Sequence, residues 1–249
     1  MPQNDSFYRI NYDTLEFSDI RMDKIRHNIK PIFDKIAIIE TFNTKLHSKL
    51  QDCRHKMEAV WYSLLLIQNE IIHSERTDIK KLKKYSSMVW MCPKTEFKND
   101  VLIFETESFL FQIKSGLDIL IQAMKYIYPC LDKHHSYDSE SFEVDYNWTS
   151  KTTSILRVNE QFKIADFFEL EIEKWILEMI NVRNIITHRS WLNWFLCFVL
   201  HEKDSILDKP KMPSGENLDE YCQHIYSNLL GLYKTIFEEF ILVELKDFF

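Results

Sequence analysis

Apolar residues recur every three or four positions along most of the chain, and that spacing predicts helices. Over about 18–73 the stripe includes Ile36, Ile39, Leu46, Leu50, Met57, Trp61, Leu64 and Leu65, with a break at Pro31. "TDIKKLKKYSSMVWM" predicts a short separate helix capped by Thr77 or Asp78. "CPKTEFKND" reads as a loop, after which Asn99 or Asp100 caps a second long helix ending at Pro129. The polar, aperiodic "CLDKHHSYDSESFEVDYNWTSKTTS" reads as a long surface loop over about 130–160. A third helix covers about 165–189. "WLNWFLCFVL" is aromatic and β-prone, which fits a strand or a buried connection. "KPKMPSGEN" is a turn, and the last helix, about 218–245, carries Leu229, Leu232, Ile236, Phe240 and Val243 on one stripe. The sum is an all-α fold: one helical bundle spanning residues 1–249, with one short β excursion or buried connection between the last two helices.

Composition agrees with that reading. Of 249 residues, 45% are hydrophobic and 28% charged, an ordinary globular balance with enough apolar material for a sizeable core. Only 3 are Gly, which excludes phosphate-cradling glycine loops and disfavours sheets joined by tight turns. The formal net charge of -7 argues against a broad non-specific DNA footprint but leaves room for a small local RNA cleft. The 5 Cys are odd in number and form no C-x-x-C pair, so free thiols in a reducing cytoplasm are the expectation. The N-terminal segment MPQNDSFYRINYD lacks an apolar signal core. The longest apolar run is too short to span a bilayer, so no membrane association is expected.

The third helix carries the chemistry. On a wheel of about 100° per residue, Phe168, Ile172, Trp175, Ile176, Met179, Val182 and Ile186 share one face, and Arg183 falls near its centre. A charge there must be paired, snorkel out or reach a polar cleft. Leu177, Asn181, Asn184 and His188 form a second stripe, so Asn184 and His188 are stacked neighbours. In an ideal helix Arg183 and His188 point about 140° apart. To meet on one substrate, the arginine must reach around, the helix must end or distort near His188, or a second subunit must supply the other half. These residue types suit RNA phosphodiester cleavage. Histidine moves protons near neutrality. Arginine offers planar donation to developing phosphorane oxygens, and asparagine orients a phosphate or the imidazole. No metal or other cofactor is required.

"RNIITH", Arg183 to His188, resembles the R-N-x-x-x-H form of the motif that marks HEPN-superfamily ribonucleases. The resemblance implies a small all-α bundle and a metal-independent endoribonuclease. It implies Arg183 and His188 as the catalytic pair and Asn184 as the polar residue beside them. It also implies single-stranded RNA as substrate, a homodimer that brings two motifs to one cleft, and a toxin–antitoxin or phage-defence setting with an antitoxin or regulatory partner. "FLFQIKSGLDIL", Phe109 to Leu120, resembles an earlier helix of many HEPN-like proteins through Lys114, Ser115, Leu117 and Asp118. Lys114, Asp118 and Arg189 are accordingly expected to contact RNA or support the site. Lys114 and Asp118 read equally well as an i, i+4 ion pair beside the core. Where nucleotidylated HEPN toxins carry a tyrosine two residues after the histidine, this chain has Ser190, which argues against that form of silencing.

Other segments read more simply. Arg21 and His27 repeat the loose spacing but lack the asparagine. Cys130, Asp132, His134 and His135 match no familiar zinc spacing and read as a solvated loop. The basic run Lys80–Lys84 is a solvated face and the best candidate for tracking an RNA backbone outside the cleft. Trp191 and Trp194 read as core. Two rivals to the nuclease remain: a module of the same fold that binds RNA, a nucleotide or a protein without cutting, and a structural dimer with Arg183 in a buried ion pair.

Overall fold

The structure is a computed structural model that describes residues 43–84, 94–98, 100–131, 150–189, 195–200 and 205–245, with side chains over 43–72, 101–131, 152–186 and 209–245. The elements in chain order are α1 (Thr44–Lys84), β1 (Lys94–Lys98), α2 (Asp100–Met124), a 3-10 turn (Pro129–Leu131), α3 (Ser150–Val158) and α4 (Phe162–Glu171). A π turn (Ile172–Ile176) joins α4 to α5 (Leu177–Arg189). Strands β2 (Phe195–Leu200) and β3 (Ser205–Asp208), α6 (Leu218–Thr235), a second π segment (Ile236–Ile241) and α7 (Leu242–Glu244) follow.

Helix α1 forms because its apolar positions keep a strict alternation of four and three. Leu46, Leu50, Cys53, Met57, Val60, Leu64, Ile67 and Ile71 are all buried. Its start is fixed by Asn43, whose side-chain oxygen accepts the Leu46 backbone N–H at 3.0 Å. The helix runs unbroken through Thr77 and Asp78 to Lys84, so the separate capped helix expected there is the end of α1. Helix α2 packs along α1 through Leu102, Phe109, Ile113, Leu117, Leu120 and Met124, all buried. Thr106 sits in the same seam and satisfies its hydroxyl by donating to the Leu102 carbonyl at 2.8 Å. Helix α2 ends at Met124, five residues before Pro129, because a turn intervenes: the Tyr126 and Ile127 N–H groups bond three residues back, to the Ala123 and Met124 carbonyls. Helix α6 closes the core with Leu218, Tyr221, Cys222, Ile225, Tyr226, Leu229, Leu232 and Tyr233.

The stretch expected as a loop over about 130–160 contains helix α3 at Ser150–Val158. Its apolar residues Ile155 and Leu156 face the core, and the Arg157 guanidinium grips α4 through Asp166 and Glu169, at 2.6 and 2.5 Å. Glu160, at a φ of 63°, turns the chain between them. "KTEFK", read as loop, is β1, which pairs antiparallel with β2, and β2 pairs antiparallel with β3 in the order β1-β2-β3. Backbone pairing with Phe195–Leu200 overrides the weak strand propensity of its lysines. The described residues are therefore predominantly helical, with this small sheet as the exception. Among the described residues, no helix is long and apolar enough to cross a membrane.

Candidate functional site

Arg183, Asn184 and His188 all lie on α5, whose helical backbone extends through Arg189. Trp175, Ile176, Met179, Val182 and Ile186 are buried and press α5 onto the bundle. Glu171 is buried just ahead of them and accepts the Trp175 indole N–H at 2.6 Å, which fixes the π turn into the core.

Arg183 sits differently from its wheel position. The buried spine of the π turn and α5 is Trp175, Ile176, Met179, Val182 and Ile186, and Arg183 stands at its edge, half-buried, toward α2. The difference has a simple cause. The π turn at Ile172–Ile176 turns less per residue than an α-helix, so a single wheel drawn from Phe168 misplaces the residues of α5 relative to the core. The guanidinium carbon lies 5.8 Å from the centroid of the Phe111 ring of α2. Its Nη1 donates to the Asn184 side-chain oxygen at 3.2 Å. Asn184 is exposed, as are Leu177 and Asn181 on the same stripe. The exposed asparagine thus holds the Nη1 end of the guanidinium beside an aromatic ring, while Arg183 Nε is buried.

Lys114 and Asp118 lie one to two turns further along α2 from Phe111. Lys114 Nζ donates to Asp118 Oδ1 at 2.5 Å, with the side chains 18% and 28% exposed. This is the ion pair at the edge of the core that the spacing allowed. Close by, the helices meet on a sealed polar node. Tyr233 of α6 donates its hydroxyl to the Gly116 carbonyl at 2.9 Å, and its hydroxyl also meets the Cys53 thiol of α1. Gly116 lets the helices approach closely there: a Cβ would stand 3.3 Å from the Tyr233 hydroxyl, which would have to give by a few tenths of an ångström, and 3.4 Å from Lys56 Cβ. Burial pushes the Cys53 thiol from 9.0 up to about 12 and raises the Tyr233 phenol as well.

The side chains of His188, Arg189 and Lys80–Lys84 lie outside the described ones, and so do Ile36, Ile39, Arg21, His27, Asp132, His134, His135, Ser190, Trp191 and Trp194. Among the described residues, no group of three or more His, Cys, Asp or Glu is placed to hold a metal ion. Cys53, Cys130 and Cys222 carry thiols rather than disulfides.

Phe111 is a neighbour of Arg183 that the motif pattern does not single out. It lies inside the quoted "FLFQIKSGLDIL", and its signal is its place opposite the buried Phe109 and Ile113, on the side of α2 that includes Phe104. Comparison with protein-family models, with curated proteins and with solved structures finds no match to this chain.

Proposed function

We propose that this protein is a metal-independent endoribonuclease of the HEPN type, with Arg183, Asn184 and His188 as its working residues. The observation that supports it most is the arrangement on α5: a half-buried arginine whose Nη1 donates to the exposed side chain of Asn184, on the helix whose last turn contains His188.

The chemistry follows from the residue types. The substrate's 2'-hydroxyl attacks the adjacent phosphorus, and the 5'-oxygen of the next nucleotide leaves. His188 transfers the proton, and Arg183 neutralises the charge that builds on the phosphorane oxygens. Asn184 limits the rotamers of Arg183, so less freedom is lost when the phosphate arrives. Arg183 and His188 are separated by about 7 Å along the helix axis and by about 140° around it. Two chains, each lending one motif to a shared cleft, satisfy that geometry, and a homodimer is part of the proposal. A toxin or defence role, with a regulatory partner restraining the nuclease in the cytoplasm, follows from the family resemblance.

The test is the chemistry of the product ends. A single-stranded RNA incubated in excess EDTA should yield fragments with 2',3'-cyclic phosphate and 5'-hydroxyl termini. The same sequence with 2'-O-methyl groups should stay whole. Fragments with 5'-phosphates, or equal cutting of the methylated strand, would remove 2'-hydroxyl attack and this reading with it.

A further inference from the structure

Helix α2 buries one face completely, yet Phe111 is 53% and Phe104 66% exposed on its outer side. Single exposed apolar residues are ordinary. Here two phenyl rings lie seven residues apart, about 10 Å along one strip of helix, and one of them has a guanidinium against it. The arginine approaches the Phe111 ring at 5.8 Å and still leaves about half of that residue open.

We infer that Phe111 is the base-stacking platform of the site, holding the nucleotide whose phosphate Arg183 engages, with Phe104 extending the platform to a neighbouring base. This inference rests on the ribonuclease reading and adds to it a positioning residue and the nature of the contact. A guanidinium stacked against a ring can hold a phosphate in its own plane while the ring's open surface remains for a base. The base attached to that phosphate is one sugar away, within reach of the same ring. Asn184, exposed beside the arginine, adds a polar edge. A purely apolar protein partner would have to strip water from Arg183 and Asn184 to cover this face. An RNA strand supplies an anion to the one and π faces to the others. Stacking is indifferent to base identity, so the platform predicts a preference for unpaired RNA rather than for a sequence.

The test uses the full chain carrying His188→Ala, so that bound RNA is not consumed, and a fluorescein-labelled mixed-sequence single-stranded RNA of about 12 nucleotides, within the span of one stacking groove. Adding Phe111→Ala should weaken binding roughly 5- to 100-fold, the range for loss of one base–aromatic stack. Phe111→Trp should restore it. In the otherwise native protein, Phe111→Ala should raise KM more than it lowers kcat. Because Phe111 is exposed, its melting temperature and its mass by light scattering should match the parent. Unchanged binding in Phe111→Ala, with cutting by the native chain intact, would overturn the platform and leave the nuclease standing. A fall from dimer to monomer in Phe111→Ala would overturn it too and assign the face to contact between copies. No binding and no cutting by any form would remove both readings together.

Discussion

Two polar insertions interrupt the apolar surface of helix α2, and they have opposite fates. At Gly116 the chain accepts a tyrosine hydroxyl from α6 and closes over it, with Cys53 of α1 completing the node and Tyr233 and Cys53 fully buried. At Phe111 the chain meets Arg183 of α5 and stays open, with the ring half exposed and Asn184 in solvent. Both involve groups that cost energy to bury. In the first, every contact goes into holding three helices together. In the second, Arg183 Nη1 meets the exposed Asn184 side chain while its Nε is buried against the bundle. The difference separates polarity closed inside the bundle from polarity at its edge, and the proposed function places its chemistry at the second.

The strongest way to break that division is Arg183→Lys. It keeps the charge and loses the planar fork. Cleavage should fall about 10²- to 10³-fold, the loss expected when one donor to a developing oxyanion is removed. The melting temperature should stay within about 2 °C, as for a substitution outside the core. A large drop in melting temperature with cleavage intact would make Arg183 a structural residue and erase the contrast. The converse pair is Tyr233→Phe and Gly116→Val. The first removes a buried hydrogen bond worth about 1 kcal/mol, a fall of roughly 2–4 °C in a chain this long. The second forces atoms into the helix contact at a cost of about 1–3 kcal/mol. Thermal denaturation should register both, and activity per folded molecule should register neither.

Two buried groups make a prediction in pH. Cys53 of the node rises from 9.0 to about 12, and Tyr128, buried in the turn that follows α2, from 10.0 to about 12, chiefly through burial. A group raised in the folded state holds its proton there longer than in the unfolded chain, so its contribution is whole below the unfolded value and is lost as pH climbs toward the folded one. Urea midpoints should therefore hold up to about pH 9 and decline from there toward about pH 12. A midpoint that rises over that interval would contradict the burial of these groups. The smallest effect concerns Glu107, half-buried on α2 between Phe104 and Phe111. Glu107→Gln removes a repelling charge from the proposed RNA path. It should tighten RNA binding a few-fold at low salt, with the gain fading as ionic strength rises.

Much of the helical scaffold is legible in the sequence because burial imposes a period. Leu46, Leu50, Met57 and Leu64 mark the inner face of α1 by their spacing alone, and Leu229, Leu232, Ile236 and Phe240 do the same at the C-terminal end, whereas Val243, expected on that stripe, is exposed beyond the π segment that shifts its register. Trp61 fits the same stripe on paper but stands at its flank, half-buried, with its ring 5.0 Å from Tyr226. The inner position is Val60, which a periodicity count misses beside so large an apolar neighbour. Helix α3 is hidden because "SKTTSILRV" is polar and short, and it is held by tertiary contacts through Arg157 rather than by propensity. Of the candidate site, the Arg183–Asn184 pairing lies within one segment and can be suspected from it. The approach of Phe111 cannot, because it depends on how α2 and α5 pack, and no local spacing encodes that.

The most direct measurement is cleavage of a mixed-sequence single-stranded RNA in excess EDTA by the native chain and by His188→Ala, with equal melting temperatures established first. Cutting by the native protein is expected, with a loss of at least about 10²-fold on substitution, the minimum for a general acid–base residue. Equal cutting by both proteins, or none by the native chain across a range of RNAs and concentrations, would contradict the ribonuclease reading.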